Sequence, residues 1–318
     1  MLNTPNKYSY AIVGDSTCDL SNEIRERFEV DGYMQAYLTT PDDVDIPAVL
    51  NWTAYNMTRE KFYAHLKANF KKYKSSPASV VEMFAYGEQF LSRGQDLLMI
   101  GISGIMSATY TIMLHAAKML EKKYPDRKVI VIDSKKYSVA IGLLIIKACE
   151  FRKQGLGIEE TAQKIEEIKD SMHQMGTMDD LFYIASKGRI SNAKAILGTL
   201  AKIRTFADFG SDGMVNVIGK VSGFKKARKI SLEYIKRTII DPENQIVIVG
   251  HSDRLKQAQE FVELLKDHVP IKEVILQDIY PVTGINTGPG LVAAYYFGAP
   301  ITDLEAEKSI LNQIIKGK

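Results

Sequence analysis

Short apolar runs alternate with amphipathic helical patterns along the first half of the chain. Each apolar run has the length of a strand that is buried on both faces, and turn-forming Gly, Asp or Ser residues follow it. Such strands, joined by helices, indicate a parallel sheet with helices on both sides. Strands are predicted at residues 10–13, 97–102 and 129–133, and helices at residues 21–28, 58–69, 79–91, 107–123 and 139–151.

Two stretches of the first half lack a regular period. Residues 31–56 contain two prolines and are predicted to be irregular, and residues 71–78 are predicted to form a loop. The loop leads into Ser79, which Glu82 follows at the spacing typical of a capping box. This spacing predicts that the next helix begins directly after Ser79.

A second unit begins near residues 155–157, where two glycines interrupt the helical patterns. The alternation of strands and helices then resumes, with a hairpin turn at residues 211–213. We therefore expect an α/β fold with two α/β domains, residues 1–156 and 157–318, the first with a mostly parallel sheet flanked by helices. Helices are predicted at residues 158–172, from Asn192 onward, and at 223–239 and 253–266; strands are predicted at 214–221, 246–250 and 272–276, before an apolar segment at 291–297.

Hydroxyl-bearing loops follow the predicted strands of the first half. Ligands of parallel sheets bind beyond the carboxyl ends of the strands, so we expect these loops to meet at one rim and to bind a ligand there. A glycine-rich loop at residues 284–290 is interpreted either as an anion-binding nest of backbone amides or as a plain turn. The hydroxyl-bearing loops contain Asp15–Thr17, then Ser103, Gly104 and Ser107, and then Asp133 and Ser134.

The composition is that of a globular protein, with 46% hydrophobic and 25% charged residues among 318. A net charge of +3 is weaker than the basic balance typical of nucleic-acid-binding domains, so no nucleic-acid partner is predicted. No apolar segment has the length of a membrane span, and the first residues lack the pattern of a signal peptide. Cys18 and Cys149 are too few for a disulfide framework. We therefore expect a soluble cytoplasmic protein.

The sequence motifs predict neither a catalytic nor a metal centre. Residues 250–253 resemble a nucleophile elbow, but Arg254 occupies the place of its second glycine, so Ser252 is expected to cap the next helix. The five histidines show no metal-ligand spacing, and cofactor motifs are absent, so neither a metal nor a cofactor is predicted. Cys18 lies near two aspartates that oppose thiolate formation, and we expect it to be a packing residue.

Seven short segments between residues 8 and 298 follow one another in the order found in the DegV family. The first, IVGDSTCDL at residues 12–20, resembles the family's opening strand and its T-D-S-T-x-D-L motif. The last, NTGPG at residues 286–290, resembles the family's H-T-G-P-G. The segments between them are SSPAS at 75–79, SGIMSATY at 103–110, VIDS at 131–134, KGRIS at 187–191, and GKV at 219–221 with KKA at 225–227.

This resemblance implies a two-domain α/β protein that holds a long-chain fatty acid between its domains. In bacteria such proteins serve as the acyl-carrying subunit of a fatty acid kinase, and a separate ATP-using subunit forms the acyl phosphate. The resemblance thus implies a lipid-binding protein rather than an enzyme, with a fatty acid and a fatty acid kinase as partners. The site residues that it implies are Ser75, Ser107, Arg189, Asn286 and Thr287.

The site residues agree with the family pattern to different degrees. Ser75 and Ser107 stand where the family's carboxylate-binding hydroxyls lie, although Ser75 replaces a threonine. Arg189 stands where the family has an arginine, and an interdomain salt bridge is its alternative role. Asn286 replaces the family's histidine, and an amide donates a hydrogen bond but cannot become cationic. We therefore expect weaker carboxylate binding, and the hand-over to a kinase is less well supported.

Two other functions stay open at this point. The chain could be a stand-alone acyl or phosphoryl transferase that uses Ser107 or Cys18, although the sequence shows no base, nucleotide loop or metal site for it. It could also be a regulatory protein whose lipid is structural or a signal. Residues 143–146 and 195–200 could line an acyl tunnel or belong to the ordinary core.

Overall fold

The computed structural model describes residues 7–191, 203–301 and 303–317. The elements of the first half are, in chain order, β1 (Tyr10–Asp15), α1 (Asn22–Phe28), β2 (Gly32–Met34), β3 (Tyr37–Thr39), β4 (Asp45–Pro47), α2 (Arg59–Asn69), β5 (Lys74–Ser76), α3 (Val80–Leu91), β6 (Asp96–Gly101), α4 (Thr109–Lys123), β7 (Val129–Asp133) and α5 (Val139–Lys153). Those of the second half are α6 (Ile158–Ile168), β8 (Met172–Thr177), α7 (Phe182–Ser186), β9 (Ile203–Phe209), β10 (Val215–Ser222), α8 (Phe224–Thr238), β11 (Ile246–His251), α9 (Leu255–His268), β12 (Glu273–Asp278), α10 (Pro281–Thr287), β13 (Val292–Phe297) and α11 (Leu304–Ile315). Short 3-10 helices lie at Trp52–Tyr55, Phe70–Lys72, Lys169–Ser171 and Pro242–Asn244.

The first sheet is parallel throughout, with strand order β2-β1-β6-β7. Because successive side chains of a strand point to opposite faces, Ile12 packs with α5 while Val13 packs in a cluster with α3 and α4. The sheet is therefore covered by helices on both faces. The α/β class and the parallel sheet expected from the apolar runs are confirmed.

Local capping signals set two of the helix starts correctly. The Ser79 hydroxyl accepts the backbone N–H of Glu82 at 3.2 Å, and the Glu82 carboxylate accepts the N–H of Ser79 at 2.8 Å. This reciprocal pair is the expected capping box, and α3 begins at the next residue. The Thr58 hydroxyl accepts the N–H of Lys61 at 3.3 Å and starts α2 in the same way.

Helix α5 lies between the two main sheets. Eleven of its 15 residues are buried, and a helix that is apolar around its whole circumference belongs in a core. It contacts β1 and β6 of the first sheet and β8, β11 and β13 of the second. Its side chains therefore join both halves into one large apolar cluster. Each fully buried Leu or Ile of this helix stabilises the fold by ~1.5–3 kcal/mol.

The second sheet is mixed, with strand order β12-β11-β13-β8. Strands β11 and β12 are parallel, while β13 runs antiparallel to both β11 and β8. Helices α8 and α9 cover the face that is turned away from α5. The hairpin of β9 and β10 packs beside β8, and α11 packs on β10. The hairpin expected around residues 211–213 is confirmed.

Several local expectations were wrong. Residues 31–56 are not uniformly irregular and residues 71–78 are not only a loop, because β3, β4 and β5 form a small antiparallel sheet of order β4-β3-β5. The helix predicted to reach residue 172 ends at Ile168, and Met172 begins β8. The segment interpreted as a loop at 284–290 begins inside α10, which Pro281 starts at a position where its missing N–H costs nothing.

The division into domains at residue 156 stays a prediction. Helix α6 follows this point but packs on β6 and β7 of the first sheet. The helix expected from Asn192 onward, and the possible tunnel lining at 195–200, lie outside the described residues. In the described ranges, none of the helices combines the length and the apolar character that a membrane span requires.

Candidate functional site

A cavity of about 420 Å³ lies between the two halves of the chain, within the range of ~300–1,000 Å³ typical of small-molecule sites. It opens beyond the carboxyl ends of β1 and β6, where ligands of such sheets bind. All five residues of the predicted site line it together, and these are Ser75, Ser107, Arg189, Asn286 and Thr287. The structure thus brings together residues that are separated by more than half of the chain.

Ser107 lies just before α4 and bonds to the first turn of that helix. Its hydroxyl accepts the N–H of Thr109 at 3.2 Å and lies 2.9 Å from the Thr109 hydroxyl. Since α4 starts at Thr109, the positive end of the helix dipole lies at the cavity. The backbone N–H of Ser107 itself donates to the Ser103 carbonyl at 3.2 Å, so the hydroxyl is the ligand-facing group of this residue and its amide is not.

Ser75 comes from the small antiparallel sheet rather than from a loop. It pairs with Leu38 in the register of β3 and β5, so the backbone of the motif is fixed. The side chain is exposed and lines the cavity beside Ser76 and Pro77. Within the ranges that the structure covers, the Ser75 hydroxyl has no hydrogen-bond partner. It is therefore available to a ligand.

Arg189 is the one charged residue among the described residues that line the cavity. Its Nε–H donates to the carbonyl of Met106 at 3.2 Å, and another guanidinium N–H donates to the carbonyl of Lys187. No carboxylate in the described segments lies within 4 Å of the guanidinium, so the alternative role in an interdomain salt bridge has no partner there. Within the described residues, the remaining donors of the guanidinium have no acceptor and can bind an anion.

Helix α10 places Asn286 and Thr287 on the cavity wall. The Asn286 amide donates to the carbonyl of Val282 at 3.0 Å, and the Thr287 hydroxyl donates to the carbonyl of Thr283 at 2.7 Å. Each side chain therefore uses one hydrogen-bond donor to bond a backbone carbonyl of its own helix. Asn286 keeps a second amide hydrogen, whereas the Thr287 hydroxyl has no further proton to donate.

The glycine-rich segment after α10 is a structural turn rather than an anion-binding nest. Gly288 and Gly290 have φ angles of 74° and 106°, which side chains rarely adopt. The N–H of Gly288 donates to Gly284 and that of Gly290 to Ser252, both at 2.7 Å. The expectation that Ser252 caps α9 was wrong, because its hydroxyl accepts the N–H of Leu291 at 2.9 Å and the residue before α9 is Arg254. Because these amides are already bonded, they are not available to an anion.

A carboxylate network anchors the wall that carries α2 and α10. Asp278 accepts from the Trp52 indole and from the Arg59 guanidinium, each at 2.8 Å, and His251 Nε2 lies 3.1 Å from it. Burial lowers the pKa of His251 to about 4, so its ring is neutral at pH 7. This network holds the first half against the end of β12, and Phe62 packs with Ile285 of α10 beside it.

Two aspartates of the opening motif are buried structural groups. Asp15 accepts the N–H of Thr17 at 2.7 Å and the N–H of Ile102 at 2.8 Å, and so joins the ends of β1 and β6. Asp19 accepts the hydroxyl of Ser138 at 2.7 Å and the N–H of Tyr280 at 2.9 Å. Burial raises the pKa of Asp19 to about 7. The hydrogen bonds of both aspartates therefore hold in place the segments that follow β1 and β6 at the edge of the cavity.

The cavity wall combines hydroxyls with apolar groups. Thr17, Thr109 and Thr283 also line it, and sequence analysis missed Thr283 because α10 was interpreted as a loop. His, Cys, Lys, Asp and Glu are absent from the described lining. Cys18 is 1% exposed, and burial raises its pKa and so opposes thiolate formation, which agrees with the packing role expected for it. The main apolar contributors to the wall are Ile102, Ile105, Met106, Ile184 and Val282.

Comparisons with known proteins agree with this architecture. A family model described as "Uncharacterised protein, DegV family" matches residues 9–298. A DegV domain-containing protein of Clostridium perfringens is 26% identical over 289 residues, which cover 91% of this chain and 97% of that protein. A DegV lipid binding protein of Thermotoga maritima has a TM-score of 0.78 at 22% identity, covering 92% of this chain and 99% of its own. A second T. maritima protein, described as revealing a fatty acid binding function, has a TM-score of 0.77 at 24% identity, with 92% and 99% covered.

Proposed function

Because this chain belongs to the DegV family, we propose that it binds a long-chain fatty acid in the cavity between its two halves. The observation that carries the proposal is the lining itself. Arg189 and hydroxyls lie in the same cavity as Ile and Met side chains, and among the described lining residues Arg189 has no counter-charge. A fatty acid offers one anionic group and one apolar chain, which is the chemistry that such a wall accommodates.

The carboxylate would be bound mainly by Arg189 and by the hydroxyls of Ser75 and Ser107. A carboxylate removed from water must be paired or well hydrogen-bonded, and a guanidinium makes the stronger, charge-assisted bonds. The first turn of α4 adds a favourable dipole. Asn286 supplies a neutral hydrogen-bond donor at the position of the family's histidine. Thr287 lines the cavity but donates no hydrogen bond to the ligand, because its hydroxyl proton is already bonded to Thr283.

The acyl chain would supply most of the affinity. At ~0.8 kcal/mol for each buried methylene, ten buried methylenes contribute roughly 8 kcal/mol before the costs of association. The carboxylate contacts orient the ligand and exclude uncharged lipids. Affinity should therefore rise with acyl length until the apolar wall is filled.

The proposal assigns no bond-forming step to this chain. Cys18 is buried, and the described lining offers Ser107 no base, which argues against a stand-alone transferase. A separate fatty acid kinase subunit would form any acyl phosphate. We further propose a cytoplasmic protein, since both cysteines are free and buried, as suits a reducing compartment.

Mass spectrometry tests this function directly. The purified protein is analysed in its native state and again after organic extraction, and the extract is compared with that of Ser107→Ala. We expect about one fatty acid per chain in the wild type and less in the variant, because one carboxylate donor is lost. Ser92→Ala, at the exposed end of α3, is the matched control and should retain as much as the wild type. A wild-type protein that carries no fatty acid and takes none up would refute the proposal.

A further inference from the structure

Three metal-ligating side chains converge in the second half of the chain and share no residue with the cavity lining. They are His173 of β8, Asp208 of β9 and Glu307 of α11. Their side chains are 4%, 0% and 7% exposed. His173 Nδ1 lies 2.9 Å from Asp208 Oδ2 and 3.6 Å from Glu307 Oε1, and the three ligand atoms all lie within 4.8 Å of one another.

The hydrogen bond on the far side of the imidazole fixes its tautomer. His173 Nε2 lies 2.7 Å from the carbonyl oxygen of Ala299, which can only accept, so Nε2 carries the proton. In a neutral ring, Nδ1 then presents a lone pair to two carboxylates. Three acceptors face one another, and this arrangement requires a proton or a cation between them.

Glu307 shows that the cluster lacks a partner. Neither of its carboxylate oxygens has a hydrogen-bond partner in the part of the chain that the structure describes, although both are buried. An unpaired buried carboxylate is strongly unfavourable. By contrast, Asp208 uses its Oδ1 to accept the N–H groups of Gln174 and Phe209 at 2.7 and 2.8 Å, which leaves Oδ2 directed at His173.

The buried Lys136 does not supply the missing partner of the Glu307 carboxylate. Its ammonium group is buried and lies 4.9 Å from the centre of the Phe209 ring, and no described carboxylate lies within 4 Å of it. Three carboxylates act on this ammonium, those of Asp208, Asp170 and Glu307. The ammonium therefore makes no ion pair with Asp208 or Glu307. A divalent cation between these two carboxylates would balance the two charges that they carry when deprotonated.

We propose that His173, Asp208 and Glu307 bind a divalent transition-metal cation, for which Zn²⁺ is the best fit. Zn²⁺ accepts mixed nitrogen and oxygen ligands, and a tetrahedral site with ~2.1 Å bonds places its ligand atoms ~3.4 Å apart. His173 Nδ1 lies 2.9 and 3.6 Å from the two carboxylate oxygens, on either side of this value. Ca²⁺ and Mg²⁺ prefer oxygen ligands throughout. The bond from His173 to the Ala299 carbonyl is the arrangement that metal-binding histidines make on their second nitrogen.

The site joins three separate elements. Helix α11 contacts mainly β10 and α8, and a cation on Glu307 ties it to β8 and β9 as well. The cation therefore acts as a structural cross-link of the C-terminal helix. A fourth coordination position is left for water or for a further ligand.

Metal analysis of the intact protein tests the site. The protein is stripped with a chelator, dialysed against ZnCl₂ and measured by elemental mass spectrometry, and the affinity is obtained by competition with a chromophoric chelator. We expect one equivalent of Zn²⁺ in the wild type. Glu307→Gln should bind at least ~10-fold more weakly. The matched control is Glu305→Gln, which removes an exposed carboxylate from the same helix and should bind as the wild type does.

Cobalt substitution and pH provide readouts that do not depend on the fold of a variant. Co²⁺ in the wild-type site should give the visible spectrum of a low-symmetry tetrahedral ion. Ligands must be deprotonated to bind a metal, so protons compete with Zn²⁺ and the cation should bind more tightly as the pH rises. A wild type that binds no metal, or a Glu307→Gln variant that binds as well as Glu305→Gln does, would overturn the proposal.

Discussion

The cavity and the buried cluster hold polar groups in opposite ways. The cavity gathers hydroxyls, one amide and one guanidinium around a space that a ligand can enter, and several of their donors have no bond within the described residues. The cluster of His173, Asp208 and Glu307 gathers ionisable groups with little access to solvent. Donors that solvent can reach cost little without a ligand, whereas ionisable groups that are closed off from solvent require compensation.

This difference separates two kinds of effect. Changes in the cavity should alter ligand affinity and leave the folded state almost unaffected. Changes in the cluster should alter stability and its dependence on pH, and leave fatty acid binding almost unaffected. Measurements of both properties on the same variants therefore test whether the two regions act independently.

The largest effect is expected from Asp208→Ala. The change removes the acceptor of two backbone amides, the hydrogen-bond partner of His173 Nδ1 and the largest of the carboxylate charges that act on the buried Lys136 ammonium. Removal of one partner from a buried pair costs ~3–5 kcal/mol, so the free energy of unfolding should fall by about that amount. Urea denaturation followed by circular dichroism measures it. Asp267→Ala, on the exposed face of α9, should change the free energy of unfolding by less than ~0.5 kcal/mol. Equal effects of the two would show that Asp208 is not a buried structural charge.

The next effect is the pH dependence of the metal-free protein. The folded state holds the proton of Glu307 up to a pKa of about 9, whereas an unfolded glutamate has a pKa of ~4.3, so the folded state binds more protons between these values. Stability should therefore be highest at low pH within this window and decrease by on the order of 1 kcal/mol per pH unit as the pH rises from 5 to 8. Asp19, whose pKa burial raises to about 7, contributes in the same direction below pH 7, whereas His251, whose pKa burial lowers to about 4, contributes in the opposite direction below its unfolded pKa of ~6.5. Unfolding midpoints at several pH values measure the slope.

The control for this slope is Glu307→Gln, which removes one of the titrating groups. The variant should show a flatter pH dependence, because the contributions of Asp19 and His251 that remain oppose each other below pH ~6.5. Added Zn²⁺ should flatten the wild-type profile as well, because the cation replaces the proton. A wild-type profile that rises from pH 5 to 8 would contradict the protonation assigned to the cluster.

In the cavity, the largest effect is expected from Arg189→Gln. Hydrogen bonds to charged groups contribute ~1.5–3 kcal/mol, so fatty acid affinity should fall by roughly 10- to 100-fold. Displacement of a fluorescent fatty acid measures the dissociation constant. The control, Lys256→Gln, removes the same charge from the exposed surface of α9 and should leave affinity unchanged. If both variants lost the same affinity, general electrostatic attraction rather than a contact at Arg189 would be responsible.

The contrast between the regions also explains what could be predicted from the sequence. The long strands β1, β6 and β7 and the capped helices α2 and α3 carry local signals, and they were predicted almost to the residue. The strands β3, β4 and β5 have three residues each, and their pairing depends on partners far along the chain. Strand β8 has a polar sequence, and it is buried because Asp208 of another strand bonds to His173 and Gln174. The hydrophobic pattern of a single segment cannot indicate that its polar groups will be hydrogen-bonded by another strand.

The two sites also differ in how far their residues could be predicted from the sequence. The cavity residues lie in short linear motifs, so a resemblance of motifs was enough to predict all five that the structure brings together, although their contact with a ligand stays a prediction. Thr283 was missed because the glycines and prolines around it are typical of a loop and gave no helical pattern, although Pro281–Thr287 form α10. His173, Asp208 and Glu307 are spread over three elements without any metal-ligand spacing. Only the folded chain shows that they are neighbours.

The smallest effect is expected from Asn286→His, which restores the side chain typical of the family. At pH 8 the imidazole is neutral and replaces one neutral donor by another, so affinity should stay within ~2-fold of the wild type. Below its usual pKa of ~6.5 the imidazole becomes cationic, and the affinity for a carboxylate should then increase several-fold. The wild type, with an amide at this position, should show no such increase between pH 8 and pH 6. Asn244→His, in an exposed turn, is the control and should behave like the wild type. An affinity of the Asn286→His variant that does not depend on pH would place the carboxylate elsewhere in the cavity, away from α10.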